Sequence, residues 1–156
     1  MSIIYTDKIH DIALNTFEIT CYMFPLEDWE LEDIGGEQEP SGVTKSVVAF
    51  DGAAEGGMVI NPSDTLLDAI ASNMLGVDEA TQEDKEGALC EIANIICGNT
   101  VPLFAKDDNI CVIRPPRIAD KNEDLNTLFG GMVHEQIKVN LDEGCAEISI
   151  YYKAEV

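Results

Sequence analysis

EDKEGALCEIANIICGNTVPLFA, residues 83–105, is the stretch from which the rest of the chain is read. Leu89, Ile92, Ala93, Ile96, Thr100 and Leu103 recur at three- and four-residue steps, the spacing of one buried stripe on a helix. Gly87, Glu91, Asn94 and Gly98 step by four, three and four along the same segment, which sets them together on a face turned away from that stripe. This second face breaks local rules. An interior Asn costs about 0.5 kcal/mol against Ala, and each interior Gly about 0.5–1 kcal/mol. Pro102 cannot donate to the carbonyl of Gly98, so a kink near the helix end is expected. The residues alone leave two readings open. One is a solvated face with tolerated glycines. The other is a surface on which another protein settles, with Glu91 and Asn94 standing between two patches of bare backbone.

The composition narrows the field. A chain of 156 residues with 46% hydrophobic content suits one domain, 1–156, with a sizeable core. Thirty acidic against nine basic residues give a formal charge of −21, which argues against nucleic acid and anionic membranes as partners. The opening segment MSIIYTDKIHDIALNTF lacks the basic and apolar regions of a signal peptide, and no window approaches eighteen uninterrupted apolar residues. Five cysteines (21, 90, 97, 111 and 145), without CxxC spacing, read as reduced thiols. His10 and His134 stand outside zinc-ligand spacing, so no metal or other cofactor of its own is expected. The expectation is a soluble cytoplasmic domain.

Along the chain, residues 6–24 read as a helix capped by Thr6 and ended by Pro25, with Ile9, Ile12, Ala13, Phe17 and Thr20 inward. The segment 25–42 carries seven acids, and the alternation of Trp29, Leu31 and Asp33 suggests a short edge strand at 28–34 before an exposed acidic loop. Residues 43–51 and 55–61 form a hairpin, with Gly56-Gly57 marking a bulge or a close backbone approach. Ser63 caps a helix over 64–75 that stops at Gly76. A strand at 109–114, a turn at Pro115-Pro116 and a polar loop through Asn126 follow. Strands 131–141 and 145–153 close the chain around a turn at 142–144. The last strand, ending in aromatics, suits a sheet edge, and an unpaired edge invites a homodimer. Helix followed by three strands describes 6–61 and again 79–153, with Asp11-Ile12-Ala13-Leu14 lying where Glu91-Ile92-Ala93-Asn94 lies. The fold class is therefore α+β: pseudo-duplicated units forming a sheet of about six strands, with helices packed on one face.

Glu91-Ile92-Ala93-Asn94 followed by Ile95-Ile96-Cys97-Gly98-Asn99 resembles the active-site helix of the CheC/CheX/FliY phosphatases of bacterial chemotaxis, and is most similar to CheX and its relatives. The family pattern runs roughly Asp/Ser-x3-Glu-x2-Asn-x22-Pro. Two positions depart from it. Gly87 stands where the family has Asp or Ser, and Pro115 and Pro116 come slightly early. The resemblance implies a phosphorylated CheY-like response regulator as substrate, with Mg2+ on that partner. Aspartyl phosphate is a reactive mixed anhydride, and what its hydrolysis lacks is a water held in line. By resemblance, Asn94 is the amide that holds the water, and Glu91 pairs with the regulator's lysine and sets the docking register. Gly87 and Gly98 would let the partner approach. Leu14 in the first unit implies one working site. Two competing readings are a non-catalytic adaptor in chemotaxis or motor-switch signalling, and an α+β domain that uses its acidic loop as an interaction surface.

Overall fold

A computed structural model describes residues 2–33, 39–104 and 109–153, with the side chains of 2–4, 28, 32 and 33 left aside. Its elements are α1 (Ser2–Cys21), α2 (Asp28–Asp33), β1 (Ser46–Gly52), β2 (Gly56–Pro62), α3 (Asp64–Leu75), α4 (Gln82–Thr100), β3 (Cys111–Ile113), β4 (Arg117–Ile118), α5 (Leu125–Leu128), β5 (Val133–Leu141) and β6 (Gly144–Tyr152). The six strands form one antiparallel sheet in the order β3-β1-β2-β6-β5, with β4 also on β1. The long helices α1, α3 and α4 cover one face, where Ile9, Phe17, Leu66, Ile70, Leu89, Ile92 and Ile96 meet Val48, Phe50, Met58, Ile60, Ile148 and Ile150. This is the expected α+β class.

Local signals set the helix ends. Ser63 accepts from the backbone N–H of Leu66, and Gly76 takes the left-handed conformation (φ 68°) that closes α3. Thr81 and Asp84 form a reciprocal capping box at the start of α4. At the other end the α-helix stops at Thr100 and tightens into a 3-10 turn over Val101–Phe104, the response to Pro102. Residues Gln82–Phe104 are long and apolar enough to cross a membrane by composition alone. Their apolar side is instead packed in the core, with Leu89, Ile92, Ala93 and Ile96 at 0% exposure. α1 closes on Tyr22 in the left-handed conformation, at φ 57°, where glycine is usual, and the Tyr22 N–H donates to the Glu18 carbonyl.

The first helix spans Ser2–Cys21, with Thr6 inside it and not at its cap, and three further expectations need correction. Residues Asp28–Asp33 form a helix, not an edge strand. The Glu30 side chain accepts from the Glu27 backbone N–H at 3.1 Å, and this local cap prevails over three residues of alternation. The rest of the acidic loop, 34–38, lies outside the described residues. Second, β6 is an interior strand paired with β2 on one side and β5 on the other, so the sheet's edge on that side is β5. Third, Pro115-Pro116 does not reverse the chain. β3 and β4 both run antiparallel to β1, with Phe50 opposite Ile113 and Ser46 opposite Ile118, so the prolines interrupt one edge strand.

The pseudo-duplication survives in part. Exchanging β1 with β5 and β2 with β6 maps the central order onto itself, and α4 packs over β1 as α1 packs over β5. With α2 helical, the first unit supplies two strands, not three. Gly56-Gly57 mark a close approach. A Cβ on Gly56 would lie 1.8 Å from the Tyr151 carbonyl oxygen, and one on Gly57 would lie 2.3 Å from the Phe129 ring. That ring belongs to a small second layer absent from the sequence reading. Asp124 caps α5 through Asn126 and Thr127, laying Leu125 and Phe129 over Val47, Val59 and Tyr151 on the face opposite the long helices.

The loop ahead of α5 is tied by a two-point pair, Arg117 to Glu123 at 2.7 and 2.6 Å, with the Asp120 N–H also on Glu123. The guanidinium, then the backbone donor, holds the Glu123 carboxyl down at about 2. A carboxyl depressed from its ordinary value near 4.3 stabilises the fold above that value and loses the contribution as pH falls toward 2. Arg117 is 46% exposed, so solvent weakens the pair. Glu123→Gln should lower the urea midpoint at pH 6, and the gap from the parent chain should narrow at pH 3.

Candidate functional site

α4 is held by its apolar stripe. Each fully buried Leu or Ile contributes about 1.5–3 kcal/mol, enough to offset the roughly 1 kcal/mol that each interior glycine costs. The stripe's burial fixes what faces outward. Gly87, Glu91, Asn94 and Gly98 are all exposed, on the single face that their spacing requires. Glu91 and Asn94, three residues apart, have Cβ atoms about 5–6 Å apart by helix geometry. Neither side chain bonds to another described residue. The helix's lysine is turned elsewhere: Lys85 Nζ lies 2.7 Å from Asp68 of α3.

The glycines are informative because the chain itself does not need them. Among the described residues, a Cβ at Gly87 would meet nothing within 4 Å, and one at Gly98 would meet only Ile113 Cδ1 at 3.7 Å, an ordinary contact. Neither position has positive φ. Two residues that weaken the helix, required by no packing among the described residues, bracket two exposed polar side chains that bond to no described residue. The counterpart on α1 is different: Asp11 is exposed, but Leu14 is half-buried against the core.

Cys21, Cys90 and Cys97 are poor candidates for a competing nucleophile. Burial pushes the Cys97 thiol up to about 12 and the Cys21 thiol to about 11. Burial, then the Glu86 charge, also raises the Cys90 thiol beside Glu91. Sequence reasoning missed a groove alongside the glycine-flanked face. The 3-10 turn and the edge strand bring Val101, Pro102, Ile110, Cys111 and Ile113 next to Gly98. Pro115 and Pro116 follow directly on that strand, so the motif's proline position lies beyond the residue that touches Gly98.

The structure is an antiparallel sheet covered on one face by three long helices, with an exposed Glu-Asn pair on the outer face of α4. Residues 45–128 match the family model described as chemotaxis phosphatase CheX, and the chain belongs to that family within the CheC/CheX/FliY group. Among solved structures it is similar to a chain of the CheX–CheY–BeF3–Mg2+ complex from Borrelia burgdorferi. That likeness has 17% identity and a TM-score of 0.70, covering 96% of this chain and 98% of that one. It is also similar to a CheX from Desulfovibrio desulfuricans, with 14% identity and a TM-score of 0.71, covering 96% and 99%. FliY from Thermotoga maritima gives 16% identity and a TM-score of 0.57, covering 96% and 90%. At these identities the likeness is one of fold. No curated protein matches the sequence.

Proposed function

We propose that this chain is a phosphatase that hydrolyses the aspartyl phosphate of a CheY-like response regulator. The observation that carries the reading is the exposed Glu91-Asn94 pair, bonded to no described residue and set between two glycines that no described neighbour requires. Family membership supports the phosphatase class, and the Borrelia burgdorferi CheX crystallised with CheY, BeF3 and Mg2+ supports the kind of partner. Asn94 holds a water in line with the phosphorus, and as a neutral amide it adds no negative charge against the phosphoryl oxygens. Glu91 pairs with the regulator's lysine in a charge-assisted contact that fixes where the phosphoryl group sits. Mg2+ belongs to the partner's phosphorylation site, where it neutralises charge. Gly87 and Gly98 let the partner's surface come down to the backbone on either side.

The test is phosphate release from a phosphorylated CheY-like regulator with and without the chain. Accelerated release is expected. Association without acceleration would favour the adaptor reading, to which the empty space at Gly87, the family's Asp/Ser position, lends specific support. Gly98→Trp should weaken regulator binding by about tenfold or more through collision, because the chain itself has room for a Cβ there. Its circular dichroism and melting temperature should stay close to those of the parent. A homodimer through a sheet edge belongs to the same proposal, with β5 as the edge in place of β6. Pro25 and Leu26 already occupy the Asn140–Leu141 end of β5, so a second copy would meet the strand nearer Val133.

A further inference from the structure

The groove beside Gly98 has no part in the chemistry just described. It has a volume of about 430 Å3 and is lined by Gly98, Val101, Pro102, Ile110, Cys111 and Ile113, with no charged side chain among these described residues. In a chain carrying 30 acids, that is an uncommon stretch of surface. Ile110 at its rim is 64% exposed. An exposed isoleucine at the lip of an apolar groove keeps hydrophobic area in water with no return inside the molecule.

We propose that this groove receives an apolar side chain of the same phosphorylated regulator that meets Glu91 and Asn94, which makes it a specificity-determining extension of the docking face. The inference rests on the proposed function. Three observations converge on this occupant. Gly98 belongs both to the glycine-flanked face and to the groove wall, so the two surfaces are continuous. Reach is the second. Pro102 lies eight residues beyond Asn94, about 12 Å along the helix. A standard interface covers about 800 Å2 per partner, roughly 28 Å across, so a footprint centred on Asn94 reaches the groove. Charge is the third. At −21 the chain draws no help from long-range attraction to an anionic phosphorylated site. The N-terminal end of the α4 face adds Glu83, whereas its C-terminal end opens on the groove, whose described lining carries no charged side chain. Apolar contact on that side supplies affinity where charge does not, and it decides which regulator is accepted by the shape of the side chain it offers.

The test compares Ile110→Glu with Val112→Glu. Val112, two residues beyond Ile110 and within β3, is 51% exposed, lies across from Asp51 and is absent from the groove lining, so it is the control. Each variant is titrated onto a CheY-like regulator loaded with BeF3 and Mg2+, and phosphate release is then followed at saturation. Ile110→Glu should raise Kd about tenfold or more while leaving turnover of the saturated complex within about twofold, and Val112→Glu should bind as the parent does. Rising ionic strength should leave the groove's contribution intact, since its described lining residues carry no charge. If Ile110→Glu binds like the parent while Asn94→Ala abolishes turnover, the groove assignment is overturned and the phosphatase reading stands. If Ile110→Glu changes self-association in sedimentation and not regulator affinity, the groove belongs to a contact between copies and the proposal fails. If the parent chain neither binds the regulator nor accelerates release, both are overturned.

Discussion

Replacing Asn94 with alanine should slow phosphate release by about 100-fold, equivalent to about 2.7 kcal/mol of transition-state stabilisation. Affinity for the BeF3-loaded regulator should stay within about threefold, because the amide acts on the attacking water more than on the bound partner. The structure makes this a clean substitution. Asn94 is exposed and bonds to no described residue, so its removal leaves no buried partner unsatisfied. Alanine is also the better helix former by about 0.5 kcal/mol, so the variant should melt at the parent's temperature or slightly above. A destabilised Asn94→Ala would make the residue structural and remove it from the chemistry.

Glu91→Ala should act on binding as well as rate. Truncating one member of a buried, charge-assisted interfacial pair costs about 2 kcal/mol or more, on the order of 30-fold in Kd, mostly because the partner's charge is left unpaired. Glu91→Gln keeps the size and loses the charge, so it should fall between the two and show a weaker salt dependence than the parent. A double-mutant cycle with the regulator's lysine separates docking from general-base chemistry. If Glu91 pairs with that lysine, the second substitution adds little to the first. Strict additivity would break the assigned pairing.

How much of this was readable beforehand follows from how local each signal is. Ser63 and Gly76 cap α3 with their own backbone and side-chain atoms, so the helix at 64–75 was found to the residue. The α4 stripe was legible because seven buried positions repeat at helical spacing on one element, and the outward face follows by subtraction. Trp29, Leu31 and Asp33 misled because three alternating residues weigh less than one Glu27–Glu30 cap. The alternation and aromatic end of β6 suggest an edge strand, which it is not. Tyr151 is in fact covered by Phe129, stacked at 4.8 Å, and the one-turn helix that brings Phe129 there shows in sequence only as Asp124. The groove beside Gly98 was out of reach for a stronger reason. It exists because β3 pairs with β1 beneath the end of α4, a long-range arrangement that no local pattern encodes.

The most direct test of the neutral-amide role is Asn94→Asp, assayed for phosphate release at saturating concentration. The substitution keeps the shape and the ability to hold a water, and it adds one negative charge where the phosphoryl oxygens gather. The expected result is a loss at least as large as that of Asn94→Ala, on the order of 100-fold or more, in a folded protein. An Asn94→Asp variant as active as the parent would contradict it, since a carboxylate serving equally well there would be a general base and not a neutral holder of water.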